Sequence, residues 1–116
     1  MVENRKFIRL KSPLPVEYSL IKKHKRQKKY ISIMRNVSVG GLSLLLKEEV
    51  RIGDLIQVDI RVPHWVSPVR VVGDVIWHSP SREREKTAPA AGVRFREVNP
   101  AELNKILDYV YSVAIG

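Results

Sequence analysis

The chain has no cysteine, so it forms no disulfide and offers no thiolate to a metal or a substrate. That fits a reducing compartment. No apolar run approaches the roughly 18 to 20 residues of a membrane-spanning helix. The N-terminus, Met1-Val2-Glu3-Asn4-Arg5, has no apolar stretch resembling a signal peptide. These absences make a soluble, cytoplasmic protein the expectation. At 116 residues the chain is about one domain, large enough to bury a core without covalent staples.

The usual signatures of catalysis are missing as well. His24, His64 and His78 are scattered, and none stands at metal-ligand spacing from a carboxylate or another histidine. There is no GxSxG and no P-loop. Glu17, Asp54, Asp59 and Asp74 fall in turns or at alternating strand positions, where they read as ordinary surface residues. The composition therefore points away from an enzyme and requires neither metal nor cofactor.

Acidic residues are in short supply. Lys and Arg number 21 against 12 Asp and Glu, a net charge of +9 with a pI of about 10.1. Such a surplus favours acidic partners: nucleic acid, phosphorylated small molecules, anionic lipid or an acidic protein face. Most of it is one feature. Six of the eight residues from Lys22 to Lys29 are basic, and without them the net charge falls to +3. The block contains no aromatic residue, whereas single-strand binding surfaces interleave aromatics with cations. Its simplest reading is a solvated hairpin tip that discourages edge-to-edge association.

What is present is mostly β. Val16, Tyr18 and Leu20 alternate with polar residues after Pro13 and Pro15. Tyr30 to Arg35 reads as the return strand of a hairpin. Leu42 to Leu46 is apolar enough for a buried strand, and Arg51-Ile52-Gly53-Asp54 has turn chemistry. Leu55 to Val62 alternates until Pro63, which cannot donate to a ladder. Val69 to Trp77 forms a further strand with a bulge or bend at Gly73, and Ala91 to Arg96 another. Trp77 and Phe95 read as core residues. Then the period changes: Asn99-Pro100-Ala101-Glu102 combines an N-cap, a proline at N1 and a glutamate at N3. Leu103, Ile106, Leu107, Val110 and Val113 follow at helical spacing. The pattern predicts an all-β single domain: an antiparallel barrel of about six strands over 13–98, with a C-terminal helix over 99–114 packed on it.

Two polar clusters interrupt this pattern. Arg5 and Arg9 are spaced RxxxR ahead of the first strand, and Asn36-Val37-Ser38-Val39-Gly40-Gly41 forms an NxSxxG turn between two strands. Two guanidinium forks beside a tight polar turn suit a planar anionic ligand. Their order and spacing resemble the PilZ domain, as do Pro15-Val16-Glu17-Tyr18, Gly41-Leu42-Ser43-Leu44, Gly73-Asp74-Val75-Ile76-Trp77 and Gly92-Val93-Arg94-Phe95. The resemblance covers roughly residues 4 to 111. It implies a bacterial second-messenger receptor for cyclic diguanylate (c-di-GMP), bound by Arg5, Arg9, Asn36, Ser38 and Gly41, with Asn4 and Gly40 as secondary candidates. Arginine forks onto the O6/N7 edge of guanine and pairs with phosphate, and Gly41 would let backbone approach the ligand. The N-terminal segment 1–12 would fold over the ligand, and that movement would be the output. Asn36 stands where Asp is frequent. Asn4 stands where a further arginine is frequent, so the resemblance is compatible with one ligand or an intercalated pair.

Two other classes compete. One is a PilZ-like adaptor that binds a protein partner and no nucleotide, although such members tend to lack one of the two motifs. The other is a small basic barrel that binds nucleic acid through Lys22–Lys29.

Overall fold

Alternation along the strands and the capped apolar stripe after them are realised as one barrel and one helix. The computed structural model describes residues 10–22, 27–79 and 89–115. Its strands are β1 (Leu10–Ile21), β2 (Tyr30–Val37), β3 (Gly41–Leu45), β4 (Leu55–Ile60), β5 (Val69–Ser79) and β6 (Ala90–Glu97), followed by α1 (Pro100–Ile115). They close antiparallel in the order β1-β2-β3-β6-β5-β4. Val16, Tyr18 and Leu20 of β1 point inward, and so do Ile56, Val58 and Ile60 of β4 and Val69, Val71 and Val75 of β5. Closure leaves no unpaired sheet edge among these strands.

β1 begins earlier than its alternation suggests. Leu10 pairs with Val37 and Lys11 with Asn36, after which the register slips before Leu14 meets Met34. That slip breaks the period-2 pattern and hides the first residues of the strand. The Arg51–Asp54 turn forms as expected: the Asp54 amide donates to the Arg51 carbonyl at 3.0 Å, the Asp54 carboxylate accepts from the Arg51 amide at 2.9 Å, and Gly53 has φ +95°.

Asn99 caps α1, its Oδ1 accepting from the amides of Ala101 (3.0 Å) and Glu102 (3.1 Å). The helix packs against β1 and sends Leu103, Ile106 and Val110 into the core, with Leu107 partly buried. Val113 departs from the expected stripe: it is 61% exposed, because the helix outruns the core it covers.

Asp59 is a second correction. It is no ordinary surface residue but 6% exposed, gripped by Arg70 through Nε–Oδ1 at 2.9 Å and Nη2–Oδ2 at 3.2 Å. The hydrogen bond to that carboxylate, and then its charge, raise the Arg70 pKa. A fork across neighbouring strands satisfies both carboxylate oxygens.

Two outcomes test the core. Ile106→Ala should cost about 2–5 kcal/mol in denaturant unfolding, whereas Val113→Ala should stay within about 0.5 kcal/mol of the parent. Tyr18 gives the second. Its buried hydroxyl accepts from the Lys47 amide at 2.8 Å, and burial raises its pKa above the usual 10.0. A folded-state pKa above the unfolded value stabilises fully below pH 10, and that stability is lost as pH rises through the folded pKa. Tyr18→Phe should therefore flatten the alkaline fall of the stability–pH curve, while costing about 1 kcal/mol at neutral pH from the unpartnered Lys47 amide.

Candidate functional site

The turn between β2 and β3 is closed by its own polar groups. The Ser38 amide donates to the Gly41 carbonyl at 2.8 Å, and the buried Ser38 Oγ accepts from the Gly40 amide at 3.2 Å. The Gly40 carbonyl in turn accepts from the Phe95 amide of β6 at 2.9 Å. Gly41 lies against the same strand: a Cβ there would sit 2.1 Å from the Val93 carbonyl oxygen. The space Gly41 leaves is thus filled by the β6 backbone, which pins the turn to the barrel.

Two β-bulges shape the face next to this turn. Met34 pairs with Leu44 and Asn36 with Ser43, so Arg35 is an extra residue on β2. Strict alternation from the inward Met34 would bury Asn36 in the barrel. The extra residue turns Asn36 outward and Val37 inward, where Val37 is fully buried. On β5, Val75 pairs with Val93 and Trp77 with Gly92, which makes Ile76 the extra residue. Trp77 is thereby turned out of the barrel, and its indole occupies the space over Gly92 that a Cβ would need. Trp77 is half-buried on the outer face and outside the core to which its sequence pattern assigned it. Phe95 packs against the core, partly buried.

The cross-strand pairs Asn36–Ser43, Ser43–Gly92 and Gly92–Trp77 form one outward row across β2, β3, β6 and β5. Its middle carries only a serine hydroxyl and a glycine, which leaves room for the Trp77 indole to lie over Gly92, and Ser43 is only 1% exposed. The Asn36 Oδ1 is buried and has no hydrogen-bond partner. A buried acceptor left without a donor costs about 1–3 kcal/mol, and it fits a ligand that brings an N–H to this end of the row. The Arg35 and Arg94 side chains are exposed beside it.

Of the residues expected from sequence, Asn36, Ser38, Gly40 and Gly41 are brought together in this turn. Asn4, Arg5 and Arg9 lie outside the described residues. The pairing of Leu10 with Val37 and of Lys11 with Asn36 sets the start of β1 beside the turn. Arg35, Gly92, Trp77 and Arg94 were not expected at a site. Only the glycine-aromatic pairing of two neighbouring strands could have signalled the row, and it requires the register to be known. Lys22, Lys28 and Lys29 of the basic block are exposed, with the Lys28 Nζ 5.3 Å from the Tyr30 ring centroid; residues 23–26 lie outside the described set. Among the described residues no group of three His, Asp or Glu could hold a metal ion, and no helix is long and apolar enough to cross a membrane.

Solved structures share this architecture. The inhibitor of motility MotI (DgrA) of Bacillus subtilis is 14% identical with a TM-score of 0.75, matching 98% of this chain and 53% of its own. The PilZ domain of Escherichia coli YcgR, solved with c-di-GMP, is 20% identical with a TM-score of 0.68, over 95% of this chain and 91% of that one. MrkH of K. pneumonia, solved as a c-di-GMP complex, is 13% identical with a TM-score of 0.67, over 99% and 53%. The chain therefore spans about half the length of MotI and MrkH. No curated protein matches it in sequence. The PilZ domain family model matches residues 3–112, which is nearly the whole barrel and helix: the chain belongs to the PilZ domain family.

Proposed function

We propose that this domain is a non-enzymatic receptor for c-di-GMP, held on the outer barrel face beside the β2–β3 turn, and that it signals by repositioning its N-terminal segment. The observation that carries the reading is Asn36: bulged outward, with a buried amide oxygen that lacks a donor, next to the strand end from which the Arg5–Arg9 segment departs. Guanine supplies such donors at N1 and N2, while its O6/N7 edge accepts an arginine fork.

In this reading Arg9 and Arg5 close over the ligand. One forks onto a guanine edge, and the other pairs with phosphate or stacks on a base, geometries a lysine reproduces poorly. Asn36 orients the base and Ser38 holds the turn in shape. Gly40 and Asn4 contribute backbone and side-chain contacts at the margins. Trp77 offers its open indole face to the second base. Gly41 acts through the fold, by keeping the turn on β6. The switch segment 1–12 ends in the first residues of β1, so ordering of Arg5–Arg9 is coupled to pairing of Leu10 and Lys11 with β2. The domain acts in the cytoplasm, where the second messenger is made.

One observation favours a protein-binding role in addition. Ile31 and Ile33, outward on β2, are 75% and 46% exposed, where a solvated strand face carries polar residues. An adaptor would use that strip, and it leaves the nucleotide face free.

Isothermal titration with c-di-GMP, with GTP as control, tests the receptor reading. The parent chain should bind c-di-GMP selectively; Arg9→Ala should weaken binding at least about tenfold, since a bond to a charged group contributes about 1.5–3 kcal/mol, and Asn36→Ala should weaken it about two- to tenfold, as a neutral bond of about 0.5–1.5 kcal/mol would, with neither variant melting below the parent. Absence of heat from a folded parent would return the domain to the adaptor class. An equal response to any polyanion, lost with added salt, would identify the Lys22–Lys29 tip as the binder. Gly41→Ala should instead lower stability by about 1–3 kcal/mol, a loss seen in unfolding without any ligand.

A further inference from the structure

The outer wall of β1, β2 and β3 carries apolar side chains where a solvated strand face would carry polar ones. Ile31 and Ile33 of β2 are 75% and 46% exposed. Ile33 pairs with the exposed Pro15 of β1. Because Met34 pairs with Leu44, the β3 neighbour of Ile33 is Leu45, half-buried between the buried Leu44 and Leu46. The strip thus crosses three strands, about 10 Å, and runs two residues along β2, about 7 Å. Its surroundings are cationic. Lys28 and Lys29 precede β2, Lys47 follows Leu45 by two residues, and all three are exposed. Within the strip stands the half-buried Glu17, paired with Ile31. The acids after Lys47 are turned elsewhere: Glu48 accepts from the Tyr30 hydroxyl, and Glu49 lines a cavity with Lys22, Arg51 and Asp54 at the end of the barrel.

Geometry and charge together narrow the occupant. The barrel is closed, so a partner cannot add a strand to an edge. A second copy would bring two cationic rims together. A bilayer interface is held by tryptophan and tyrosine, and the strip itself has no aromatic side chain. A helix meets both conditions: Ile31 and Ile33 make a short ridge that the groove between helical rows accepts, and the strip is as wide as a helix, about 10 Å. We propose that this wall docks an amphipathic helix of another protein. The apolar stripe of that helix lies on Pro15, Ile31, Ile33 and Leu45, and its acidic flanks meet Lys29 and Lys47. The inference rests on the protein-binding role given above, names its partner class, and does not depend on nucleotide binding. A patch of this size falls short of the roughly 1,000 Å² of a stable interface, so the contact is transient, and charge sets its encounter rate and orientation.

Fluorescence anisotropy with the full chain and a labelled peptide tests the docking face. The probe is an alanine-based helix of roughly 20 residues, with leucine at i, i+3, i+4 and i+7 spacing and glutamate on both flanks. A control peptide carries lysine in place of every glutamate. The parent should bind the acidic probe with a Kd on the order of micromolar and the lysine probe at least about tenfold more weakly. Ile31→Ser combined with Ile33→Ser should weaken the acidic probe about tenfold or more. Lys29→Gln combined with Lys47→Gln should weaken it about tenfold at low salt, the difference closing as salt is added. Val66→Ser, at a fully exposed position between β4 and β5, should stay within about twofold, and all these exposed substitutions should melt with the parent. The proposal is overturned if the parent does not bind the acidic probe, if the isoleucine variant binds it as the parent does, or if the lysine probe binds equally. It is also overturned if those isoleucines instead drive self-association in sedimentation velocity, or flotation with phosphatidylserine–phosphatidylcholine vesicles. The probe is titrated without nucleotide, and the isoleucine variant should match the parent toward c-di-GMP, so this face and the receptor reading fail separately.

Discussion

In a closed barrel, alternation is a constraint with no slack. Every second side chain must fill the interior, and a side chain needed outside cannot leave its place without moving all that follow. One inserted residue solves this locally. Arg35 on β2 and Ile76 on β5 each shift the phase of a strand by one. The first turns Asn36 outward and seats Val37 in the core. The second turns Trp77 outward after the buried Val75. The outer row is bounded at both ends by residues that a regular barrel would have placed inside.

The interior was legible from the residues because it obeys that same periodicity. Val16-Tyr18-Leu20, the Ile56-Val58-Ile60 series and the Asn99 cap each announce their element through spacing or capping chemistry. The irregularity expected at Gly73 is present as a register slip between Val72 and Gly73. The bulges at Arg35 and Ile76 were not legible, since an extra residue with no glycine to mark it shows only when two strands are aligned. That is why Trp77 read as core. Asp59 was misread for a related reason: its partner Arg70 lies on a neighbouring strand, and a carboxylate's burial depends on what stands across from it. Val113 shows the limit of helical spacing, which tells which residues share a face but not where the partner surface ends. The turn, by contrast, was legible because its chemistry is local: Ser38, Gly40 and Gly41 make their decisive contacts within four residues or with the adjoining β6 backbone.

The charge surplus resolves into parts once the strands are assembled. Arg70 and Arg96 are held by Asp59 and Asp74 on the outer face, each fork pairing an exposed guanidinium with a largely covered carboxylate and tying neighbouring strands together. Lys28 is drawn onto the Tyr30 ring, which stacks with Tyr18 at 5.5 Å between centroids. Arg35 and Arg94 remain beside the row. The large positive total is thus divided among unlike settings and marks no single face.

The indole of Trp77 over Gly92 also ties two positions together as a heritable unit. With a Cβ at position 92, the ring would have to leave, because the two would stand 2.0 Å apart at Nε1. A lineage can therefore exchange the glycine only after losing the tryptophan, or in the same step. Relatives that carry alanine or larger at the first position would be found with a smaller or differently directed side chain at the second. Fifteen residues apart in sequence, the two would drift as one character.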